Sequence, residues 1–253
     1  AIYLANDVGV DVATQIEEKK DDFPGIQIEV NPLRVYPLGA AGAQVLGYVG
    51  EAGPDDKDAD GNPYTTATLI GRAGIERKYN QYLEGKNGSK TIEVNASGQP
   101  VGYVGGTPAV SGNNIRLTLD ANLQKAAEDA IDSQVKILAK SGIYATGASA
   151  VAIDPNSGAV LAMVSEPSYD PNRFSKGIST ADWNQIINNK NHPMQNRTIA
   201  SMYPPGSLFK VVTGAAALEA KVMSPTERIF DSGKHWLVDK RNAQGEAFGW
   251  IDF

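Results

Sequence analysis

The sequence predicts an α+β protein in two parts, residues 1–110 and residues 111–253, each of mixed helices and strands. Three observations carry this prediction. Short segments in which apolar residues alternate, such as residues 26–30, are typical of half-exposed strands. A segment with apolar residues every three or four positions, residues 121–138, is typical of an amphipathic helix. Residues 105–112 lie between the two parts, are rich in turn-forming residues, and are predicted to be a linker.

Composition excludes several classes of function. The 253 residues include 23 Lys and Arg against 29 Asp and Glu, a net charge of −6, and no basic cluster interleaved with aromatic residues, which argues against nucleic-acid binding. The chain has no cysteine, which excludes disulfides and thiolate catalysis. Its two histidines, His192 and His235, are far apart in sequence, so we expect no histidine-rich metal site. There is no apolar run long enough to span a membrane, and the start on Ala1 indicates a fragment of a longer protein.

The first part is predicted to begin with a strand over residues 1–8, a helix over residues 10–23 and a strand over residues 26–30. Small residues at 37–50 indicate close backbone packing. Residues 51–60 hold five carboxylates and imitate the start of a calcium loop. Because the twelfth loop position is Ala67 and not a bidentate glutamate, a solvated acidic loop is the better interpretation.

The second part is predicted to begin with a strand over residues 115–119, after which Asp120 caps a helix whose buried face includes Leu123 and Leu138. Alternating residues 148–153 and 159–164, separated by Asp-Pro-Asn-Ser-Gly, predict a β-hairpin. Residues 180–187 predict a short helix. Glu166 and Asp170 could be imagined as an acid/base pair, but loop carboxylates near prolines are more typical of caps.

The strongest chemical candidate is the serine in Tyr-Pro-Pro-Gly-Ser-Leu-Phe-Lys, residues 203–210. The apolar run at residues 211–220 has no hydrophilic face, so it predicts a buried helix. Lys210 follows Ser207 by one turn and lies on the same helix face. A buried ammonium group tends to lose its proton, so the pair has the chemistry of a nucleophile and its base.

Spacing alone leaves alternatives open. Ser133 and Lys136 show the same Ser-x-x-Lys spacing inside an amphipathic helix, where a solvated surface is the better interpretation. His235 is a weaker partner for Ser207 than Lys210, and His192 is expected to be an exposed loop residue. From the residues alone, a purely structural helix start at Ser207 also stays open.

Residues 203–210 resemble the active-site serine motif of penicillin-binding proteins and serine β-lactamases. The longer string from Asn196 and Arg197 to Lys210 is similar to the class B penicillin-binding proteins, and within them to the elongation-type group called penicillin-binding protein 2. Residues 71–88 resemble the segment that closes the non-catalytic pedestal of this family, and residues 148–171 resemble its first sheet hairpin. Leu208 stands where the family usually has threonine.

The resemblance implies a pedestal (dimerisation-type) domain followed by the N-terminal part of a transpeptidase domain. It implies a peptidoglycan D,D-transpeptidase in which Ser207 attacks a stem peptide and Lys210 is the general base. It further implies acylation by β-lactams, a membrane glycosyltransferase of the rod-shape system as partner, and a role in cell elongation, and it implies no metal or organic cofactor. A single N-terminal anchor outside this chain would hold the catalytic domain on the cell-wall side of the cytoplasmic membrane.

The family's second and third motifs, Ser-x-Asn and Lys-Thr-Gly, do not follow Ser207. The Ser-x-Asn spelling at residues 111–113 precedes the serine and lies in the predicted linker, so it is rejected. We therefore expect the chain by itself to be inactive and only partly folded beyond the linker. Two other functions stay open: a non-catalytic scaffold or partner-binding piece, and a β-lactam sensor or β-lactamase, against which residues 71–88 argue.

Overall fold

The computed structural model describes residues 4–5, 7–28, 32–64, 68–96, 100–228, 230, 233–241 and 247–251. The chain divides into two compact units, Ala1–Ser201 and Met202–Phe253. The helices of the first unit are α1 Val10–Glu18, α2 Ala43–Leu46, α3 Gly74–Lys78, α4 Asn80–Leu83, α5 Ala121–Lys140, α6 Asn172–Ser175, α7 Thr180–Ile187 and α8 Arg197–Ala200. Its strands are β1 Val49–Glu51, β2 Leu69–Gly71, β3 Ser89–Val94, β4 Pro100–Thr107, β5 Ala148–Ile153 and β6 Val160–Glu166. The second unit holds α9 Phe209–Glu219, β7 Lys234–Arg241 and β8 Ala247–Ile251.

The strands pair in sequence order, β1 with β2, β3 with β4, β5 with β6 and β7 with β8, and all four pairs are antiparallel. Because each strand pairs with its neighbour in the chain, the described part needs no parallel crossover. Helices and separate antiparallel pairs make up the architecture, which confirms the α+β prediction.

The predicted hairpin and the predicted long helix are both present. The amide of Gly158 donates to the Asp154 carbonyl at 2.8 Å, which closes the turn between β5 and β6. Asp120 caps α5, since its side chain accepts hydrogen bonds from the amides of Asn122 and Leu123, each at 2.9 Å. The predicted buried face is wrong at Leu123, which is exposed, and the buried residue of α5 is the polar Gln124. Its side chain accepts from the Met163 amide at 2.8 Å and donates to the Met163 carbonyl at 3.0 Å. This pairing ties α5 to β6.

One hydrophobic cluster of the first unit is built around two buried aromatic rings. Tyr169 and Phe174 are both at least nine-tenths buried, and they pack with Ala43 of α2 and Ile186 of α7. The ring of Tyr48 stacks at 4.0 Å on Phe174, centroid to centroid. Residues from positions 43–48 and 169–186 therefore share one core, which fixes the loops around them.

Three predicted strands are wrong where the structure describes them. Residues 4–5, 7–8 and 26–28 are not in strands, and the rest of the first and second predicted strands lies outside the described residues. Residues 115–119 contact the start of β6 but form no continuous ladder of backbone hydrogen bonds with it. Thr118 Oγ1 donates to the Val160 carbonyl at 2.6 Å, and the Asp120 amide donates to the Leu161 carbonyl. Apolar alternation is not enough where no partner strand completes the backbone hydrogen bonds.

The predicted linker at residues 105–112 is also wrong in part, because β4 extends to Thr107. Gly106 is close to β3, and a Cβ there would lie 1.9 Å from the Ser89 carbonyl oxygen. Val110 then exchanges two backbone hydrogen bonds with Lys86, at 2.8 and 2.9 Å. Here glycine permits a close approach between strands. The division at 110/111 stays a prediction.

Within the described ranges, no helix combines the length and the apolar character that crossing a bilayer requires.

Candidate active site

The structure places Ser207 in a single 3-10 turn, Gly206–Leu208, that runs directly into α9. Gly206 has a φ of +53°, a backbone conformation that side chains with a Cβ rarely adopt. Pro205 before it has no amide hydrogen to donate. The Pro-Pro-Gly segment therefore turns the chain sharply just before the serine, as the sequence predicts.

Lys210 lies in the first turn of α9, three residues after Ser207. Residues three apart on a helical segment share a face, so the hydroxyl and the amine are neighbours by position. Both residues are exposed, and in the described part of the chain no hydrogen bond or ion pair joins them. Ser207 and Lys210 thus lie in adjoining turns of one helical segment, with no hydrogen bond or ion pair between them in the described structure.

The expectation that α9 and Lys210 are buried is wrong for this structure. No residue of α9 is buried, and the side chains of Val211 and Val212 are 76% and 55% exposed. An apolar helix becomes buried only when other elements pack on it, and sequence pattern does not supply those elements. The burial that the sequence predicts for Lys210 is therefore absent from the described structure.

The segment that precedes the serine in the chain is firmly held in the first unit. Arg197, at the start of α8, is only 7% exposed, and its guanidinium donates to the backbone carbonyls of Asn191 and His192. Its amide donates to Ser165 Oγ at 3.0 Å, and that hydroxyl donates to the Gln195 carbonyl at 2.9 Å. The Asn196 side chain caps α8 by accepting from the Thr198 amide.

The alternative serine pair lies on the surface. Ser133 and Lys136 are exposed residues of α5, and Lys136 forms an ion pair with Asp132. An exposed ammonium group with its own carboxylate partner has no feature of a catalytic base. The solvated-surface interpretation is confirmed.

Among the other minor candidates, Asp170 has a structural role. Asp170 accepts hydrogen bonds from the amide and side chain of Asn172, at 2.9 and 2.8 Å, so it acts as a cap. Burial, and then the negative charge of Glu128, raises the pKa of Glu166 above its usual range. His192 is exposed, as predicted. The His235 side chain lies outside what the structure describes.

The two remaining sequence matches, to a calcium loop and to the Ser-x-Asn motif, both lie in loops. In the acidic loop, Asp58 accepts from the amides of Asp60 and Asn62 at 3.0 and 2.8 Å, which is the geometry of a turn. At residues 111–113, a Cβ on Gly112 would lie 2.0 Å from the Leu83 carbonyl oxygen, so the glycine has a packing role. Across the described ranges, no three His, Asp or Glu side chains come together as a set of metal ligands.

Two glutamines were missed by reasoning from the sequence. Gln124 is the buried link between α5 and β6 described above. Gln44 of α2 is half-buried, and its side-chain nitrogen lies within hydrogen-bond distance of three backbone carbonyls. One signal could have revealed it, because Gln44 is the sole polar residue apart from Tyr48 in the small, apolar run at residues 37–50.

Comparisons with known proteins agree with this architecture. Residues 1–117 match the penicillin-binding protein dimerisation domain, and residues 148–247 match the penicillin-binding protein transpeptidase domain. The chain is 37% identical over 216 residues to the peptidoglycan D,D-transpeptidase MrdA of Escherichia coli K12, an alignment that covers 83% of this chain and 32% of that protein. MrdA of Acinetobacter baumannii is 33% identical over 220 residues, with 87% and 31% covered. The chain thus spans about a third of the length of these curated relatives.

Two solved structures show the same fold. Pseudomonas aeruginosa PBP2, in complex with WCK 5153, is 34% identical with a TM-score of 0.61, and the match covers 88% of this chain and 44% of that one. Helicobacter pylori PBP2, in a complex with MreC, is 27% identical with a TM-score of 0.67, with 96% and 44% covered. The two domain matches, these identities and the shared fold agree: the chain belongs to the penicillin-binding proteins, as a dimerisation domain followed by the start of a transpeptidase domain.

Proposed function

We propose that this chain is part of a peptidoglycan D,D-transpeptidase that cross-links stem peptides through a serine acyl-enzyme during cell elongation. The observation that carries the proposal is the Ser207 turn: a glycine kink, a serine, and a lysine one turn later at the start of an apolar helix. The relatives that are 37% and 33% identical to this chain are named peptidoglycan D,D-transpeptidases.

Ser207 is proposed as the nucleophile and Lys210 as its base. The Ser207 oxygen attacks the carbonyl of the penultimate D-alanine while its proton passes to the Lys210 amine. The peptide bond then breaks, the terminal D-alanine leaves with a proton on its amine, and the stem peptide stays on Ser207 as an ester. An amine of a neighbouring stem peptide attacks that ester, forms the cross-link and frees Ser207.

This mechanism requires a neutral lysine, and therefore a covered one. The apolar surface of α9 offers the means, because side chains such as Val211 and Val212 are available to pack against a further layer. We propose that the rest of the catalytic domain, with the family's Ser-x-Asn and Lys-Thr-Gly motifs, lies on α9 and buries Lys210. The same layer would complete the oxyanion hole, to which Ser207 contributes its own amide.

β-Lactams are proposed to acylate Ser207 as mimics of the D-alanyl-D-alanine end. No metal or organic cofactor takes part in the proposed steps. The proposed partners are stem peptides, a membrane glycosyltransferase of the rod-shape system and a protein like MreC, with which the Helicobacter pylori relative forms a complex. A single N-terminal anchor in the cytoplasmic membrane would keep the protein on the cell-wall side, with a role in cell shape.

The test is release of D-alanine from a stem pentapeptide by the full-length protein. We expect release and a cross-linked product from the wild type, none from Ser207→Ala, and wild-type release from the matched surface variant Ser133→Ala. Stability of the penicillin adduct separates the alternatives, since a transpeptidase holds the acyl group whereas a β-lactamase hydrolyses it quickly. If the wild type releases no D-alanine and takes up no penicillin, the transpeptidase proposal is wrong and a scaffold role replaces it.

A further inference from the structure

Gln44 belongs to the dimerisation domain, and its side chain contacts backbone carbonyls of the transpeptidase domain. Its amide nitrogen lies 2.8 Å from the Pro193 carbonyl oxygen, 3.0 Å from that of Ser165 and 3.3 Å from that of Pro167. Three acceptors converge on one nitrogen, so the amide orientation is determined: only the NH2 end can face them. With two hydrogens to share, Gln44 makes two short hydrogen bonds and one longer one.

The three carbonyls belong to two different segments. Ser165 lies near the end of β6, Pro167 follows that strand, and Pro193 lies in the loop that leads to α8. Gln44 therefore joins the end of β6 to this loop from the dimerisation-domain side. Neighbouring contacts strengthen the same junction, since Ser168 Oγ donates to the Ala40 carbonyl at 2.8 Å.

The loop that Gln44 holds continues directly into the segment before the serine. Pro193 is followed by Gln195, whose carbonyl accepts from Ser165 Oγ, and by Arg197, whose amide donates to the same hydroxyl. The Arg197 guanidinium binds the carbonyls of residues 191 and 192 on the other side of Pro193. The loop is thus fixed from two directions, by Arg197 from within the transpeptidase domain and by Gln44 from outside it.

We propose that Gln44 is a positioning residue through which the dimerisation domain sets the geometry of the transpeptidase segment that leads to Ser207. The inference rests on the proposed function, because the quantity that it affects is the acylation of Ser207. Small misplacements of catalytic groups slow the chemical step far more than they weaken binding. Loss of the Gln44 amide is therefore expected to lower the acylation rate at saturating penicillin while leaving the dissociation constant of the initial complex unchanged.

Asn80 provides a matched control. It too is an amide with three hydrogen bonds, accepting from the Gly71 amide at 2.7 Å and donating to Glu84 at 2.7 Å and to Tyr64 at 3.2 Å. All of its partners lie within the dimerisation domain. Gln44→Leu and Asn80→Leu each replace an amide that has three hydrogen-bond partners by an apolar group of similar size, so comparing them separates interdomain positioning from a general loss of stability.

The experiment uses the full-length protein and a fluorescent penicillin. For Gln44→Leu we expect the saturating acylation rate to fall about tenfold with an unchanged dissociation constant. The segment at residues 188–200 should also exchange its amide hydrogens faster. Asn80→Leu should change neither property, and Gln44→His, which keeps a donor at similar reach, should recover part of the rate.

The inference is overturned if Gln44→Leu acylates as fast as Asn80→Leu, or if residues 188–200 exchange at the same rate in both variants. A wild-type protein that takes up no penicillin would instead overturn the proposed function, and this inference with it. Acylation that is slower in Gln44→Leu than in Asn80→Leu, beside an active wild type, supports both.

Discussion

Replacing Gly147 by alanine tests the buried arginine that holds the segment before the serine. A Cβ at this position would lie 2.2 Å from Arg197 Nε, 2.8 Å from Cζ and 3.0 Å from Cδ. The Arg197 side chain is buried and bonded to two backbone carbonyls, so it cannot turn away without breaking those bonds. Crowding of this kind costs about 1–3 kcal/mol, and losing one hydrogen bond to a charged group costs about 1.5–3 kcal/mol.

We expect Gly147→Ala to lower the free energy of unfolding by about 3 kcal/mol, which for a unit of this size corresponds to a fall in Tm of about 6–12 °C. Urea and thermal unfolding followed by circular dichroism measure both quantities. In an Arg197→Ala background the crowding is gone, so the same substitution should cost less than about 1 kcal/mol.

Gly214→Ala is the control, because an added Cβ in the middle of α9 meets no atom within 4 Å. It should raise helix stability by about 0.5–1 kcal/mol. The reasoning is refuted if the free energy of unfolding of Gly147→Ala lies within about 0.5 kcal/mol of the wild-type value. It is also refuted if the substitution lowers that free energy equally with and without the Arg197 side chain.

Three further predictions concern the first unit. Asp120→Ala removes the cap of α5 and should lower the free energy of unfolding by about 1 kcal/mol in urea, with Asp120→Asn close to wild type. Burial raises the pKa of Tyr36 and of Tyr169, and for Tyr36 the negative charge of Glu76 adds to the rise. Because both pKa values are higher in the folded state, the two tyrosines contribute to the free energy of unfolding below about pH 10, and this contribution is lost as the pH rises further. The urea midpoint should therefore fall as the pH is raised above about 10. Glu76→Gln removes the buried partner of Arg34, 3.0 Å away, and should cost about 2 kcal/mol by the same urea assay, whereas a midpoint equal to wild type would contradict the role of the pair.

Local features of the sequence predict local structure well. The hairpin at residues 148–164 combines alternating residues with a turn sequence, and helix α5 combines an Asp120 cap with a long amphipathic repeat. Each of these elements closes most of its hydrogen bonds within a short stretch of chain. The kink before Ser207 follows the same logic, since Pro-Pro-Gly fixes the backbone directly.

Features that depend on distant partners were not predictable. The apolar run at residues 211–220 forms α9, but whether a helix is buried depends on what packs against it. Gly105 and Gly106 indicated a linker, whereas in the structure both lie in β4, and Gly106 permits the close pairing of β3 with β4. Gln44 has no local feature that identifies its partners, because these lie more than a hundred residues away.

The most direct test of the central claim is the intact mass of the protein after incubation with a penicillin, followed by peptide mapping. It should be run on this chain and on a version that includes the second and third motifs. The account predicts an adduct of one penicillin on the longer version, located on Ser207, absent from Ser207→Ala and retained in Ser133→Ala. An adduct located on another residue, or no adduct on the longer version, would contradict the assignment of Ser207 as the nucleophile.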